Sequence, residues 1–510
     1  MAGHPGMGRR ALIKSIAALT AAGLMPQGLR AQQPSSGPLL GEVAIIGGGL
    51  AGLVALDRLT GAGIPARLYE ARPRIGGRML TRSDFPAAGR WVEIGGHLVN
   101  TDHADMIALA EEFGLGLLDA KAAGGTDHVL LEGKPIGGEA LVEALGPIAA
   151  QIARDSEWLD ADPLAAMGEL DRLSVADYLD RHRALLGPPG VRGLLEQSVR
   201  TEFGAEPAAA SALTLIYNLP TVDGTAYEVL GASDERFIVE GGSQRITDAL
   251  AERHQERIVT GHRLAALEPL APGTIRAHFA NGSSADASHM ILAVPAGILA
   301  NVRAEGVFSA GWQRFNATMR LGRNGKLNAA YAGSPWRMTP MGAGGATWEA
   351  GPSPSFAEAW EAAPAQEGRE GALTWYFGGD LLERMDDGPP REVLARIHSA
   401  LGNAMGDVAS AFAGEALRTE WHRDPLTGGA YSTWAPGQLT QFAGLLWYED
   451  EGGQAVQQAR DGRILFAGEH VSDAWSGYMN GAAQTGRLAA QTLIAELSQP
   501  RTRAAASSSQ

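Results

Sequence analysis

The chain has 510 residues, 45% of them apolar and 19% charged, with a formal net charge of −15. That length exceeds what one hydrophobic core usually supports and predicts two domains, while the acidic balance argues against nucleic-acid and anionic-membrane partners. There is no cysteine, which excludes disulfides, thiolate metal sites and any cysteinyl bond to a cofactor.

Residues 1–31 read as an export leader. "GRRALIKSIAALTAAGLMPQGLRAQ" carries paired arginines (Arg9, Arg10), a modest apolar run and the small residue Ala31, ahead of a Gln/Pro/Ser-rich linker at 32–41. That order predicts the twin-arginine (Tat) route, with the Tat machinery as partner and a periplasmic or secreted location. The apolar run is too short and too rich in Ala and Gly to predict a membrane span.

From Val43 the text "VAIIGGGLAGLVALDRLTGAGIPARLYEARPRIGGR" gives strand, glycine cluster, helix and second strand, a βαβ unit. Gly47, Gly49 and Gly52 make G-x-G-x-x-G, and Glu70 follows Gly52 by 18 residues. Gly47 allows the tight turn, Gly49 the close approach of backbone to a pyrophosphate, and Gly52 the packing of helix on strand. The helix N-terminus faces the phosphates and Glu70 accepts from a ribose hydroxyl.

A helix-rich stretch follows at about 102–230. Strand, Gly-Gly and helix return in "ERFIVEGGSQRITDALAE", and a closing strand ends near Pro295. A Trp/Gly-rich stretch with strand character covers about 300–445, and "GRILFAGEH…GRLAAQTLIAEL" supplies a last strand and long helix. The residues from 498 to 510 are low in complexity and read as a disordered tail. No metal-ligand spacing surrounds His97 or His103, and "NTDHADM" reads as a helix start capped by Thr101 or Asp102. No G-x-S-x-G elbow or Walker loop is present.

"EARPRIGGR" adds Gly76, Gly77 and Arg78 directly after the acid and resembles the extended motif of the flavin amine oxidase superfamily. There Gly77 lets a second loop lie on the diphosphate, with Arg72 and Arg78 supplying charge. "VEIGGHLVNTDHADMIALAEEFGL" resembles the family segment whose Gly95 and Gly96 pass the flavin. "VEGGSQRITDAL" is similar to its third cofactor segment, followed by a strand that brings Leu264 near the adenine. "FAGEHVSDAWSGYMNGAAQTGRLAA" is very similar to the C-terminal signature of the monoamine oxidases.

The resemblance implies an α/β fold: a discontinuous Rossmann-like FAD-binding domain (42–101, 231–300, 446–497) and a mixed-sheet plus helical substrate domain (102–230, 301–445). It also implies a site. "GGAYSTWAPG" is similar to the segment supplying one tyrosine of an aromatic cage, Tyr431, and the second falls on Tyr478. Ala430 stands where the family has its flavin-linked cysteine, so FAD is expected to be bound non-covalently. Lys326, in "RLGRNGKLNAAYAGSPW", resembles the lysine that holds a water near the flavin and assists reoxidation by dioxygen. Trp421 matches a tryptophan beside the ring, Gly468 and Glu469 a contact with the ribityl chain, and Met479 is expected against the flavin. Gly477 and Gly481 are expected to allow close backbone approach, and the helix starting there to aim its amides at the ring. Asn480 stands where the monoamine oxidases carry an acid.

The implied activity is oxidative deamination of a small-molecule amine, giving an imine and then an aldehyde or ketone, with dioxygen reduced to hydrogen peroxide. Three alternatives stay open. An L-amino-acid oxidase would need an arginine after the flavin loop, where this chain has "GGHLVNTDH", or another such as Arg200. A dehydrogenase would pass electrons to a periplasmic carrier, and a flavin-binding chaperone would not turn over.

Overall fold

The structure, a computed structural model, describes residues 42–498 apart from 219, 225, 232, 271, 272 and 340. The expected leader, linker and the tail beyond Ser498 lie outside the described residues. One six-stranded sheet runs in the order Ile258–Val259, Ala66–Tyr69, Val43–Ile46, Met290–Leu292, Ile464–Phe466, Arg460–Asp461. The first five strands are parallel and the last is antiparallel. Every residue of Val43–Ile46, Met290–Leu292 and Ile464–Phe466 is buried, because parallel strands covered on both faces need continuous apolar runs.

Two helices cover this sheet, Leu50–Gly61 after the glycine loop and Met479–Leu497 near the C-terminus. Small residues let them meet closely: a Cβ on Gly486 would stand 2.3 Å from the Ala51 carbonyl oxygen. Three antiparallel strands, Leu264–Pro269, Ile275–Phe279 and Ser284–Ala287, form a separate small sheet.

The second large sheet has seven strands, in the order Phe412–Arg418, Asn324–Tyr331, Gly371–Gly378, Glu358–Glu361, Ala346–Glu349, His128–Leu131, Lys134–Pro135. Its strands alternate in destination. Leu327, Trp375 and Ala359 join an apolar cluster on one face, while Lys326, Tyr376, Glu358 and Trp348 line a cavity on the other, as the period of two requires. The helix Pro189–Phe203 packs on the sheet.

The stretch expected to be helix-rich carries five α-helices between Gly138 and Asn218, but it also contributes the hairpin His128–Leu131/Lys134–Pro135. Its two-residue turn, Glu132-Gly133, has both residues at positive φ (51° and 74°), which suits the twist of paired strands. That short apolar run is too brief for its periodicity to reveal a strand.

Candidate active site

The glycine loop is built by exclusion. Gly47 has φ +112° and a Cβ there would lie 2.3 Å from the Ala293 carbonyl oxygen, while a Cβ on Gly52 would lie 2.0 Å from that of Gly47. The Gly48 amide donates to Glu70 Oε2 at 2.7 Å and the Arg72 amide to Glu70 Oε1 at 2.7 Å. Glu70 thus braces the loop as well as facing the space expected to hold a ribose, and each oxygen keeps a lone pair. The Gly76 amide donates to the Gly48 carbonyl at 2.8 Å, so the second glycine turn leans on the first.

Gly47, Gly48, Gly49, Glu70 and Gly76 line a cavity of about 190 Å³ together with Gly77, Arg72, Arg78, Leu264, Gly468, Glu469 and Met479. A Cβ on Gly49 would find only Gly77 Cα, 4.0 Å away, so the loop presents open backbone to this space. Both arginines are partly engaged by protein. Arg72 donates to Asp424 Oδ2 at 2.7 Å and Thr427 Oγ1 at 3.0 Å; Arg78 donates to the Ala430 carbonyl at 2.6 Å and Glu469 Oε1 at 2.8 Å. A guanidinium has five N–H donors, so each retains some for an anion.

A larger cavity of about 610 Å³ adjoins the first, and Arg78, Gly96, Ala430, Tyr431, Gly477, Tyr478 and Met479 line both. Lys326 projects from the buried strand Asn324–Tyr331 into the larger one and donates from Nζ to the Gly95 carbonyl at 2.7 Å. Burial pulls its ammonium down to about 8, against the attraction of Glu93 and Glu235. Trp421 donates from its indole to the Ile94 carbonyl at 3.0 Å, fixing its ring in the same wall. Gly96 packs on Met479, whose Sδ would lie 2.6 Å from a Cβ there.

The two tyrosines arrive from different directions. Tyr431 donates to the Thr201 carbonyl, which leaves the Tyr376 hydroxyl, 2.6 Å away, to donate to it. Tyr478 donates to Glu202 Oε2 at 3.0 Å and its ring meets that of His103 edge-on at 5.1 Å. Burial holds the Tyr431 hydroxyl well above its ordinary range, so it is neutral.

Some expectations need correction. The N-cap residue of the helix Ala104–Glu112 is His103 rather than Thr101 or Asp102, and Thr101 is bonded to Asp234. Instead the side-chain oxygen of Asn480 accepts from the Met106 amide at 3.1 Å. A neutral acceptor at a helix start does that work without burying a charge. Gly481 serves protein packing, since a Cβ there would stand 2.2 Å from the Trp475 carbonyl oxygen. Arg200 is tied to Glu206 at 2.8 Å and does not line either cavity.

Other wall residues escaped the sequence reading: Tyr376, Trp360, Asp127, Glu202, Glu235 and Glu358 all line the larger cavity. Acids within an alternating strand such as "EAWE" read as a solvent-facing edge, and only cross-strand register turns them inward. Among the described residues no group of three His, Cys, Asp or Glu could hold a metal, and no helix is long and apolar enough to cross a membrane.

An open glycine loop leading into a chamber walled by tyrosines and a buried lysine is the architecture of a flavin-dependent oxidoreductase. The family described as flavin containing amine oxidoreductase matches residues 50–494, and the chain belongs to that family. It is 22% identical over 472 residues to human flavin-containing amine oxidase B, covering 89% of this chain and 86% of the human protein. It is 23% identical over 486 residues to the L-amino acid dehydrogenase of Synechocystis sp., covering 89% and 94% of the two chains. Among solved structures, putrescine oxidase bound to putrescine superposes with a TM-score of 0.72 at 22% identity over 89% of this chain and 99% of its own. Cyclohexylamine oxidase from Brevibacterium oxydans does so with 0.72 at 22% over 91% and 100%.

Proposed function

We propose that this chain oxidatively deaminates an amine, using FAD held without a covalent link. The observation that carries the reading is one wall shared by two cavities, where Tyr431 and Tyr478 stand between the glycine loop that lines the smaller cavity and the buried Lys326 that lines the larger. The residues suit the cofactor: open backbone at Gly49, donors on Arg72 and Arg78, and Leu264 in the wall of the smaller cavity. Ala430 in a chain without cysteine supports non-covalent attachment, and acid precipitation should release all the flavin into the supernatant.

When bound, the flavin accepts two electrons from the amine's α-carbon and passes them to dioxygen, giving hydrogen peroxide. The chain's own contribution is placement and charge. The two tyrosine rings present electron-rich faces between which an amine is guided. Lys326 offers a cation at neutral pH beside the space where negative charge grows. Hydrolysis of the released imine gives an aldehyde or ketone and needs no protein group.

Oxidation of an amino acid is the weaker reading. His97 occupies the position after the flavin loop and Arg200 is turned away to Glu206, so neither place supplies the cavity with an arginine for a substrate carboxylate. Stoichiometric peroxide separates an oxidase from a dehydrogenase. The paired Arg9 and Arg10 support export by the Tat route, and fractionation of the source cells tests it. An anaerobic amine panel tests the whole proposal: bleaching of the flavin supports it, and a panel that never bleaches it sinks it.

A further inference from the structure

A row of side chains crosses the seven-stranded sheet from the cofactor end of the larger cavity. Lys326 pairs in register with Tyr376, Tyr376 with Glu358, and Glu358 with Trp348, and all four line that cavity. Residues directly opposite on neighbouring strands project from the same face, and strands lie ~4.8 Å apart, so Glu358 stands ~10 Å across the sheet from Lys326.

Around Glu358 the wall is acidic. Glu235, Glu202 and Asp127 all act on it electrostatically, and all of them line the cavity. The Glu358 residue is 7% exposed, and its carboxylate has no hydrogen-bond or ion-pair partner among the described residues. Glu202 is held by Tyr478. Of the basic groups nearby, Lys326 acts on Glu235 and is held by the Gly95 carbonyl, Lys121 acts on both acids but is exposed, and Arg236 is exposed and paired with Asp119. Burial, then crowding by like charges, pushes Glu235 up to about 8 and Glu358 well above the carboxylate range. Such a wall is short of positive charge that the protein does not supply. A buried carboxyl without a partner is costly, and a ligand cation removes that cost.

We propose that the preferred substrates are diamines or longer polyamines, whose second ammonium docks on Glu358 and Glu235 while the first amine lies between Tyr431 and Tyr478. This rests on the reading of the chain as an amine oxidase. Single-charged amines leave the acids unmatched, and a substrate carboxylate brings them no cation. The aliphatic spacer crosses the apolar ring faces of Tyr376 and Trp360, which meet edge-on at 5.1 Å.

The experiment compares aliphatic α,ω-diamines with monoamines of equal chain length, by anaerobic flavin reduction and steady-state kcat/KM of the holoenzyme. Diamines with long enough spacers are expected to exceed their monoamine counterparts by about tenfold or more, the scale of a charge-assisted contact. In Glu358→Gln that ratio should fall towards one, and Glu235→Gln should lower it as well. The visible spectrum of each variant reports whether the flavin pocket is intact. Should Glu358→Gln not fold, the spacer dependence in the parent enzyme decides alone. Monoamines reducing the flavin as well as diamines of every length would overturn the diamine site and leave amine oxidation standing. A flavin that no amine reduces would overturn both.

Discussion

Arg78 Nη1 and Glu469 Oε1 lie 2.8 Å apart, and this ion pair joins three stretches distant in sequence. The same carboxylate accepts from Ser432 Oγ at 2.6 Å and from the Gly477 amide at 2.8 Å. Ser432 follows Tyr431 and Gly477 precedes Tyr478, so Glu469 sets both tyrosine-bearing segments against the loop that carries Arg78. Burial pushes its carboxyl up, but Arg78, His470 and the Ser432 hydroxyl together hold it below the ordinary range.

Glu469→Gln should therefore misplace both rings at once. Loss of its charge-assisted bonds is expected to cost about tenfold in kcat/KM. The anaerobic reduction rate should fall more than the flavin content, and a flavin-free variant with normal activity after reconstitution would contradict this.

Lys326 makes a pH prediction. Its ammonium is pulled from an ordinary 10.5 down to about 8 by burial, so the cation is present below that pH and lost above it. The reoxidation rate of chemically reduced enzyme should be high at neutral pH and fall as pH rises through about 8. Using enzyme reduced without amine keeps substrate ionisation out of the profile. Lys326→Met should be slow and flat across the range, with reduction by amine much less affected.

Tyr431 separates ring from hydroxyl. Tyr431→Phe loses its bonds to Tyr376 and Thr201 and should cost about fivefold in kcat/KM, near the ~1 kcal/mol of a neutral hydrogen bond. Tyr431→Ala removes the ring face proposed to guide the amine and should cost at least a further tenfold, given the contribution of aromatic contacts. Equal losses in both variants would assign the role to the hydroxyl alone.

Asn480 is a cap. Asn480→Ala should lower stability by about 1 kcal/mol through loss of the Met106 contact, visible as a lower Tm of the holoenzyme. Asn480→Asp keeps an acceptor at a helix N-terminus and should recover much of that loss.

What the sequence displayed and what it hid divide along chain locality. The glycine loop, Glu70, the Gly95–Gly96 loop and both tyrosines sit in short stretches where a few residues fix the backbone: Gly52 must be glycine because its Cβ would strike the Gly47 carbonyl. Lys326 was legible only by likeness, since nothing local marks it as buried. Tyr376 and Glu358 were illegible because their direction depends on register between strands about fifty and thirty residues from Lys326, in a sheet whose pairing no local pattern gives. Glu202 faces the cavity because Pro189–Phe203 packs on that sheet, and Asn480 acts as a cap only because two helices far apart in sequence meet.

Anaerobic mixing of the purified holoenzyme with a panel of amines, followed by admission of oxygen, tests whether this chain oxidises amines through a bound flavin. The flavin spectrum is expected to bleach with a saturating dependence on amine, then to return with one peroxide formed per amine oxidised. A flavin that stays oxidised with every amine, in enzyme whose cofactor can still be reduced chemically, would contradict it.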